Sequence, residues 1–375
     1  MTQVSAPDIA IFLPSLEGGG AERVMALLAS GFAARGYNVD LVLVAATGPY
    51  LALVDARVRI VELGSDSVIR SVGALTRYLR RYRPRAMLSA LSHANVVAII
   101  ANRLAGGAVR LVVSERLSLA AARRYHRGFK ERAIRFLMRQ SYCRADRVIV
   151  VATAMIDELE AQLGLARDRL ECIYNPVVDD ALAVAARQSC DHQWIAEAAR
   201  VPVVLGCGRL SVQKDFGTLI EAFRIVRDRR PVRLIILGEG EDRAMHEKQT
   251  RESGVGEDID LPGFVANPFA FMSRASVFVL SSIYEGMPGA LIQAMACGTP
   301  VVSTDCPTGP DEILDNGRWG ALVPMQDPIA MAAAIEQALD SPPLDVRLRA
   351  AAFAESEAVT RYLAALGFPP NGPTR

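Results

Sequence analysis

The sequence predicts an α/β protein made of two doubly wound domains, each built on a parallel sheet. The chain has 375 residues, which is more than one hydrophobic core usually serves. Short runs rich in β-branched residues alternate with longer segments of helical periodicity, a pattern typical of parallel sheets covered by helices on both faces. The alternation stops once, between residues 179 and 200, where the chain is charged and helical without strand character.

The first series of elements predicts a domain over residues 1–185. After a strand at 9–13, Val24, Leu27, Leu28 and Phe32 recur at helical spacing, and Gly36 ends that helix. Asn175-Pro-Val ends the last strand of the series. The other expected strands lie at 39–45, 58–61, 86–88, 111–113 and 148–151, and the other helices at 72–82, 96–104, 129–143 and 154–163.

A second series predicts another doubly wound domain over residues 186–345, followed by a helix over residues 346–366. Its expected strands lie at 203–205, 233–237, 259–261, 277–280 and 300–303, and its helices at 216–229, 241–253 and 290–297. No period of 20 to 50 residues is visible, so we expect no repeat architecture.

Composition excludes several classes of protein. Lys and Arg number 42 against 41 Asp and Glu, so no nucleic-acid partner is expected. Residues 1–7 lack the basic and apolar segments of an export signal, and no apolar run approaches the 18 residues of a membrane-spanning helix. The six cysteines form no close pair of the kind that binds zinc. We therefore expect a cytoplasmic protein.

Residues 281–298 are the segment most indicative of ligand chemistry. An apolar run at 277–280 ends at Ser281, and Gly286, Pro288 and Gly289 break the chain before a helical pattern resumes. Pro288 suits the first helical turn, and Gly289 lets a ligand approach unpaired backbone N–H groups. The pattern predicts a cradle for a phosphate or diphosphate. An ordinary βα turn with a solvated Glu285 is the alternative.

Four segments in this order resemble the large family four of retaining glycosyltransferases. Residues 281–298 resemble its signature, and Gly208-Arg-Leu-Ser-Val-Gln-Lys-Asp215 resembles its donor-diphosphate clamp. Leu16-Glu-Gly-Gly-Gly-Ala-Glu-Arg23 is similar to its amino-terminal glycine loop, and residues 301–312 to the segment after the signature helix. The resemblance implies the GT-B fold, in which two Rossmann-like domains face each other across a cleft. The first would be the acceptor side, the second would bind the nucleotide-sugar, and the helix at 346–366 would cross back to the first.

The resemblance also implies roles for individual residues. Arg209 and Lys214 would grip the donor diphosphate, and Glu285 and His93 would contact the donor sugar. Gln293 departs from the family, which has a second Glu here; a neutral amide gives up charge assistance worth about 1 kcal/mol. The donor-binding set comprises Gly18, Gly19, Gly20, Gly263, Phe264, Val265, Gly286, Met287, Pro288, Gly289 and Gln293.

The chemistry requires positive charge where the diphosphate leaves. Arg209 and Lys214 follow the strand at 203–205 and can supply it without a metal, although two surface cations are the alternative. Asp258-Ile-Asp260 has the Asp-x-Asp form of metal-dependent enzymes but lacks supporting ligands, so no metal or other cofactor is expected.

Other glycines and histidines have competing interpretations. Gly18, Gly19 and Gly20 follow a strand and precede a helix, which suits a close approach to sugar or phosphate, or a plain tight turn. Their spacing does not match the Gly-x-Gly-x-x-Gly of nicotinamide enzymes. A lone histidine is more often structural than functional, which is the alternative interpretation of His93. The remaining histidines, His126, His192 and His246, are expected to be exposed and without a role.

The segment 116–144 is strongly basic and carries interleaved apolar residues. A basic amphipathic helix suits an anionic membrane or a lipid diphosphate, or is simply a solvated face. Members of the family often use lipid-linked acceptors, so contact with the inner face of the membrane is expected.

The function predicted is transfer of a hexosyl or N-acetylhexosaminyl unit from a nucleotide-sugar, with UDP favoured, to a glycan or glycolipid in cell-surface polysaccharide or lipopolysaccharide biosynthesis. Retention of configuration and UDP come from the resemblance alone. A nucleotide-sugar epimerase of the same fold and a non-catalytic glycan-binding relative remain open.

Overall fold

The computed structural model describes residues 6–17, 19–119, 128–198, 200–342, 344–370 and 372, with the side chains of 129–131 outside the description. The chain forms two units. The first comprises the described residues up to Pro176 together with those from Glu355 onward, and the second comprises Val177–Ala354. Each is a parallel α/β unit, as the sequence predicts.

The first unit has a seven-stranded sheet in the order β3-β2-β1-β4-β5-β6-β7, with all neighbours parallel. Its central strands are buried from end to end because helices cover both faces. The strands are β1 (Ile9–Leu13), β2 (Val39–Leu43), β3 (Arg59–Glu62), β4 (Ala86–Ala90), β5 (Arg110–Glu115), β6 (Arg147–Val150) and β7 (Leu170–Cys172). The helices are α1 (Gly20–Ala34), α2 (Val72–Tyr82), α3 (Ser92–Leu104), α4 (Phe129–Ser141) and α5 (Ala154–Leu163).

The second unit has a six-stranded parallel sheet in the order β10-β9-β8-β11-β12-β13. Its strands are β8 (Val203–Cys207), β9 (Arg233–Leu237), β10 (Ile259–Gly263), β11 (Val277–Leu280), β12 (Val301–Thr304) and β13 (Ala321–Val323). Its helices are α6 (Asp180–Arg187), α7 (Gln193–Ala196), α8 (Phe216–Arg227), α9 (Arg243–Glu252), α10 (Pro268–Met272), α11 (Gly289–Ala296), α12 (Pro310–Ile313), α13 (Pro328–Asp340) and α14 (Arg347–Ala350).

The division between the units falls at 176/177, whereas the sequence places it at 185/186. The reason is the packing of α6, which the charged stretch after residue 179 forms. Asn267 donates from Nδ2 to the Ala185 carbonyl (2.9 Å), and Ser273 donates from Oγ to the Ala186 carbonyl (2.8 Å). These contacts hold α6 against α10 in the second unit.

The single helix predicted over 346–366 is wrong, because the chain is interrupted between α14 and α15 (Glu355–Ala365). At the break the Phe353 carbonyl accepts from the backbone N–H groups of Val177 (3.2 Å) and Val178 (3.1 Å). Helix α15 alone belongs to the first unit, where Arg35 of the α1 terminus donates to Thr360 Oγ1 (2.8 Å). Val359 packs so closely on α1 that a Cβ on Gly31 would lie 2.6 Å from its Cγ2.

Candidate active site

The loops that leave β8 and β11 in the second unit stand at the point where the strand order reverses. Strands β9 and β10 lie to one side of β8, and β12 and β13 lie beyond β11. In open parallel sheets the crevice at such a reversal, outside the carboxyl ends of the strands, is where ligands bind. The two segments with the clearest sequence signals, 208–215 and 281–289, are these two loops.

Three hydrogen bonds join the two loops. Ser281 donates from Oγ to the Lys214 carbonyl (2.7 Å), and the Ile283 N–H donates to the Gln213 carbonyl (2.9 Å). Gln213 in turn donates from Nε2 to the Tyr284 carbonyl (2.9 Å). The clamp loop (residues 208–215) and the signature loop (residues 281–289) therefore form one structure on the edge of the sheet.

Lys214 and Glu285 form an ion pair inside this structure. Lys214 Nζ lies 2.5 Å from Glu285 Oε1, and the side chains are 17% and 9% exposed. Ser282 donates from Oγ to the same carboxylate oxygen (2.8 Å). The Lys214 stem runs across Gly208, where a Cβ would lie only 3.1 Å from Cε. Glu285 is thus oriented by two donors, and Lys214 is held to the loop that carries Arg209.

Arg209 is exposed and follows Gly208 directly. Within the described part of the chain its guanidinium has no carboxylate or carbonyl partner, in contrast to Lys214. An exposed guanidinium can bind an anion through two parallel hydrogen bonds, and Arg209 lies in the same loop as Lys214.

The segment after β12 supports the signature loop from the other side. The Glu285 N–H donates to the Pro307 carbonyl (2.7 Å), and Thr308 donates from Oγ1 to the Gly286 carbonyl (3.2 Å). Gly309 has a φ of +97°, and a Cβ there would lie 2.6 Å from the Gly286 oxygen. Only glycine fits this position without moving the loop.

Helix α11 begins at Gly289, so Pro288 is its N-cap residue and not, as the sequence predicts, a residue of the first turn. No side chain caps the helix. Among the described residues the N–H groups of Gly289, Ala290 and Leu291 have no acceptor, which leaves an electropositive helix end directly after the buried Met287. Gln293 lies one turn further on, half-buried, and its amide has no partner in the described structure.

Gly263, Phe264 and Val265 end β10 and start the loop after it, two strands away from β8. Gly263 is buried with a φ of +89°, and its carbonyl accepts from the Gly238 N–H (2.8 Å). Phe264 is 69% exposed. These residues share an edge with the clamp loop without adjoining it, and their role in donor binding stays a prediction.

In the first unit, His93 lies in the first turn of α3, after β4. The preceding Leu91 has a φ of +76°, a rare conformation for a branched side chain, in the junction between strand and helix. Burial lowers the pKa of His93, so the imidazole is neutral at neutral pH. Its ring has no hydrogen-bond partner among the described residues.

The glycine loop after β1 is described only in part, because Gly18 lies outside the described residues. Gly19 is the N-cap of α1, and Gly20 opens the helix. The Glu22 carboxylate folds back over this end: a Cβ on Gly19 would lie 2.2 Å from Oε2. A carboxylate therefore stands at the place where the sequence predicts a sugar or phosphate.

A buried carboxyl group that the sequence analysis did not single out lies at the end of β5. Glu115 is 1% exposed and accepts from Ser92 Oγ (2.9 Å), from Asn95 Nδ2 (3.0 Å) and from the Tyr142 hydroxyl. Burial raises the pKa of Glu115, while these donors oppose the shift. The network fixes the start of α3, where His93 lies. Its partners are 20 to 27 residues away along the chain, so no local signal marks them.

The two aspartates of the Asp-x-Asp sequence have separate structural partners. Asp258 pairs with Arg227 (2.7 Å) and Asp260 with His192 (2.8 Å). In the described ranges no group of three His, Cys, Asp or Glu side chains could hold a metal ion. The expectation of exposure is wrong for His246, which is 1% exposed and lies edge-on to Phe216, and for His192, whose side chain is 15% exposed and packs next to Trp194. His126 lies outside the described residues.

The basic segment 116–144 lies partly outside the described residues, at 120–127. Its described helix α4 has Met138 buried, whereas Phe136 is 64% and Leu137 42% exposed, with Arg132 and Arg139 also exposed. The described part of the chain has no helix of the length and apolarity that a membrane crossing requires.

Two units, each built on a parallel sheet covered by helices, define an α/β protein of the GT-B kind, and comparison with known proteins specifies the class. Residues 201–341 match the family model "Glycosyl transferases group 1", and residues 18–181 match "Glycosyltransferase Family 4". The chain belongs to this family and is a glycosyltransferase. The predictions of fold class, family and enzyme class are confirmed.

Similar proteins include two glycosyltransferases, one named for a diphospho-undecaprenol-linked substrate and one for amylovoran biosynthesis. The N-acetylgalactosamine-N,N'-diacetylbacillosaminyl-diphospho-undecaprenol 4-alpha-N-acetylgalactosaminyltransferase of Campylobacter jejuni is 25% identical over 88% of this chain and 90% of its own length. The amylovoran biosynthesis glycosyltransferase AmsD of Erwinia amylovora is 25% identical over 90% of this chain and 91% of its own. The structure of HepE from Anabaena in complex with UDP superposes with a TM-score of 0.76 at 20% identity, covering 96% of this chain and 99% of that one.

Proposed function

We propose that this glycosyltransferase takes its sugar from a nucleotide-sugar, with UDP as the favoured nucleotide, and transfers it to a hydroxyl of a glycan or lipid-linked glycan without a metal ion and with retention. One observation carries the proposal. Arg209, which has no carboxylate or carbonyl partner among the described residues, and Lys214 stand on the loop after β8. This loop is hydrogen-bonded to the loop after β11, which carries Glu285 and leads to the N–H groups at the start of α11, and both loops lie where the strand order reverses.

This arrangement suits the charge changes of glycosyl transfer. As the sugar–phosphate bond breaks, negative charge grows on the leaving diphosphate, and preorganised cations and backbone N–H groups stabilise that charge. Arg209, Lys214 and the start of α11 supply both kinds of donor. Glu285, already held by Lys214 and Ser282, supplies a fixed carboxylate for the hydroxyls of the donor sugar.

For the acceptor we propose a lipid-linked glycan reached at an anionic membrane surface. The exposed Phe136 and Leu137 of α4, flanked by Arg132 and Arg139, combine apolar and cationic groups as interfacial helices do. The Campylobacter relative is named for a diphospho-undecaprenol substrate, and AmsD for amylovoran biosynthesis. The position at the inner face of the membrane is part of this proposal.

Incubation with a panel of UDP- and GDP-sugars, with and without a lipid-linked acceptor and with and without EDTA, tests the reaction. We expect release of free UDP that depends on acceptor and persists in EDTA. Loss of turnover in EDTA would contradict metal independence. Conversion of a UDP-sugar without acceptor and without UDP release would identify an epimerase, and no turnover with any donor would identify a binding protein.

Flotation with liposomes tests the membrane proposal separately. We expect the protein to float with vesicles containing anionic lipid and to be released by salt, and Phe136→Ser with Leu137→Ser to float less. Equal flotation with neutral vesicles, or none with either, would refute it.

A further inference from the structure

Arg116, the first residue after β5, is a cation that the predicted roles leave unexplained. It stands at the carboxyl edge of the first sheet, next to the strand that precedes His93 and two strands from the glycine loop. Three neutral oxygens accept from its guanidinium: Asn175 Oδ1 (2.6 Å), the Tyr362 hydroxyl (3.2 Å) and Ser114 Oγ (3.4 Å). A guanidinium has five N–H donors, so part of its capacity is unused.

No carboxylate pairs with Arg116 in the described structure. Side chains alternate along a strand, and the neighbouring Glu115 carboxyl therefore lies on the opposite face, within its own network with Ser92, Asn95 and Tyr142. Residues 120–127, which follow closely in sequence and lie outside the description, contain no Asp or Glu. Arg116 is half-buried, and this burial lowers its pKa, while Tyr362 and then the charges of Glu22 and Glu115 oppose the shift.

A half-buried cation without a paired anion among the described residues is costly for a protein to keep. The cost is offset if a ligand brings the anion. The three neutral acceptors hold the guanidinium plane in place and leave its charge uncompensated, which is the arrangement that a planar, bidentate anion site requires.

We propose that Arg116 binds a phosphate group of a substrate at the carboxyl edge of the first sheet. The proposal rests on the proposed function for its ligand class, since both a nucleotide-sugar and a lipid-linked acceptor carry a diphosphate. Glu22, whose carboxylate stands over Gly19 and whose charge reaches Arg116, weakens binding at the same site.

Calorimetric titration of the full chain with inorganic pyrophosphate, UDP and farnesyl diphosphate tests the proposal. Arg116→Gln should weaken binding of at least one diphosphate about tenfold to a hundredfold, the loss of a charge-assisted contact, and Arg116→Lys should weaken it less. Glu22→Gln should tighten the same ligand about two- to fivefold, because a like charge is removed. If the role of Arg116 is purely structural, Glu22→Gln should not tighten diphosphate binding.

Arg35→Gln is the matched control. Arg35 also donates to neutral oxygens in the carboxyl-terminal segment, at Thr360, Ser356 and Pro370, but it lies at the far end of α1. The Arg35→Gln variant should have a lower melting temperature, as Arg116→Gln should, but unchanged diphosphate binding.

The outcomes separate this proposal from the proposed function. Weaker UDP binding in Arg116→Gln identifies the donor as the source of the phosphate, and weaker farnesyl diphosphate binding identifies the acceptor. If wild type binds pyrophosphate through Arg116 but does not bind UDP, the anion site stands and the proposed donor falls. If Arg116→Gln and Arg35→Gln bind all three ligands as wild type does, or if wild type binds none of them, Arg116 is not a phosphate site.

Discussion

The Lys214–Glu285 pair allows a quantitative test of the candidate site. Lys214→Met removes the cation and leaves Ser282 as the one side-chain donor to Glu285 among the described residues, in surroundings where the carboxylate is 9% exposed. Removing one partner of a buried pair typically costs 3 to 5 kcal/mol, because an uncompensated charge stays behind. Since Lys214 retains some exposure, we expect about 3 kcal/mol.

A double-mutant cycle with Glu285→Gln isolates the interaction. In the double variant neither charge remains, so it should lose less stability than the two single variants together, with a coupling energy of about 2 kcal/mol. Arg227 and Asp258 provide the control pair in the same unit: they lie 2.7 Å apart but are 37% and 27% exposed. Arg227→Met should cost at most about 1 kcal/mol.

Urea unfolding followed by tryptophan fluorescence reports on the correct unit, because the only two tryptophans of the chain, Trp194 and Trp319, both lie between residues 177 and 354. The signal therefore avoids the assumption that both units unfold together. If Lys214→Met costs no more than Arg227→Met, and its effect adds to that of Glu285→Gln, the two loops are not held together by this pair.

Three further predictions concern other parts of the molecule. Burial raises the pKa of Glu115, so the contribution of this carboxyl group to stability is complete below the unfolded pKa of about 4.3 and is lost as pH rises through the folded pKa. In calorimetric melting, the melting temperature of Glu115→Gln should therefore rise relative to that of wild type between about pH 4.5 and pH 8. Parallel curves of melting temperature against pH would contradict this. Gly309→Ala should lower the rate of sugar transfer more than tenfold, because the added Cβ would meet the Gly286 oxygen. Gly106→Ala is the control: Gly106 has a φ of +111°, and its added Cβ would have no atom within 4 Å, so the change should cost only about 1 kcal/mol of backbone strain and leave the transfer rate unchanged. Gln293→Glu should tighten UDP binding by about 1 kcal/mol, roughly fivefold, and unchanged affinity would mean that this side chain does not reach the nucleotide.

Most of the fold follows from local patterns. Strands β1, β9 and β11 and helices α2 and α5 have the predicted bounds, because each is a compact apolar run or an amphipathic segment flanked by breakers. The edge strand β13 was not predicted: it has three residues, Ala321–Val323, and just one neighbour, β12. The break between α14 and α15 depends on hydrogen bonds that the backbone N–H groups of Val177 and Val178 donate to the Phe353 carbonyl. These donors lie about 175 residues earlier in the chain, so the local sequence gives no sign of the break.

The candidate site also combines features that local sequence patterns predict with contacts between distant residues that they do not. The loops at 208–215 and 281–289 have glycine and proline patterns that the sequence displays directly. The ion pair between Lys214 and Glu285 joins residues 71 positions apart, and the sequence predicts both as site residues without indicating that they pair. Glu115 and Arg116 lie in a segment that reads as a strand end followed by basic chain. Only the three-dimensional structure shows that the carboxyl group is buried and that the guanidinium has no paired anion among the described residues.

The most direct test of the central claim is a crystal structure of the protein with UDP, grown in the presence of magnesium. We expect the diphosphate at the carboxyl ends of β8 and β11, with oxygens within hydrogen-bond distance of the Arg209 guanidinium and of the N–H groups at the start of α11, and no cation bridging the phosphates. A nucleotide bound elsewhere, or a diphosphate held through a magnesium ion with Arg209 turned to solvent, would contradict it.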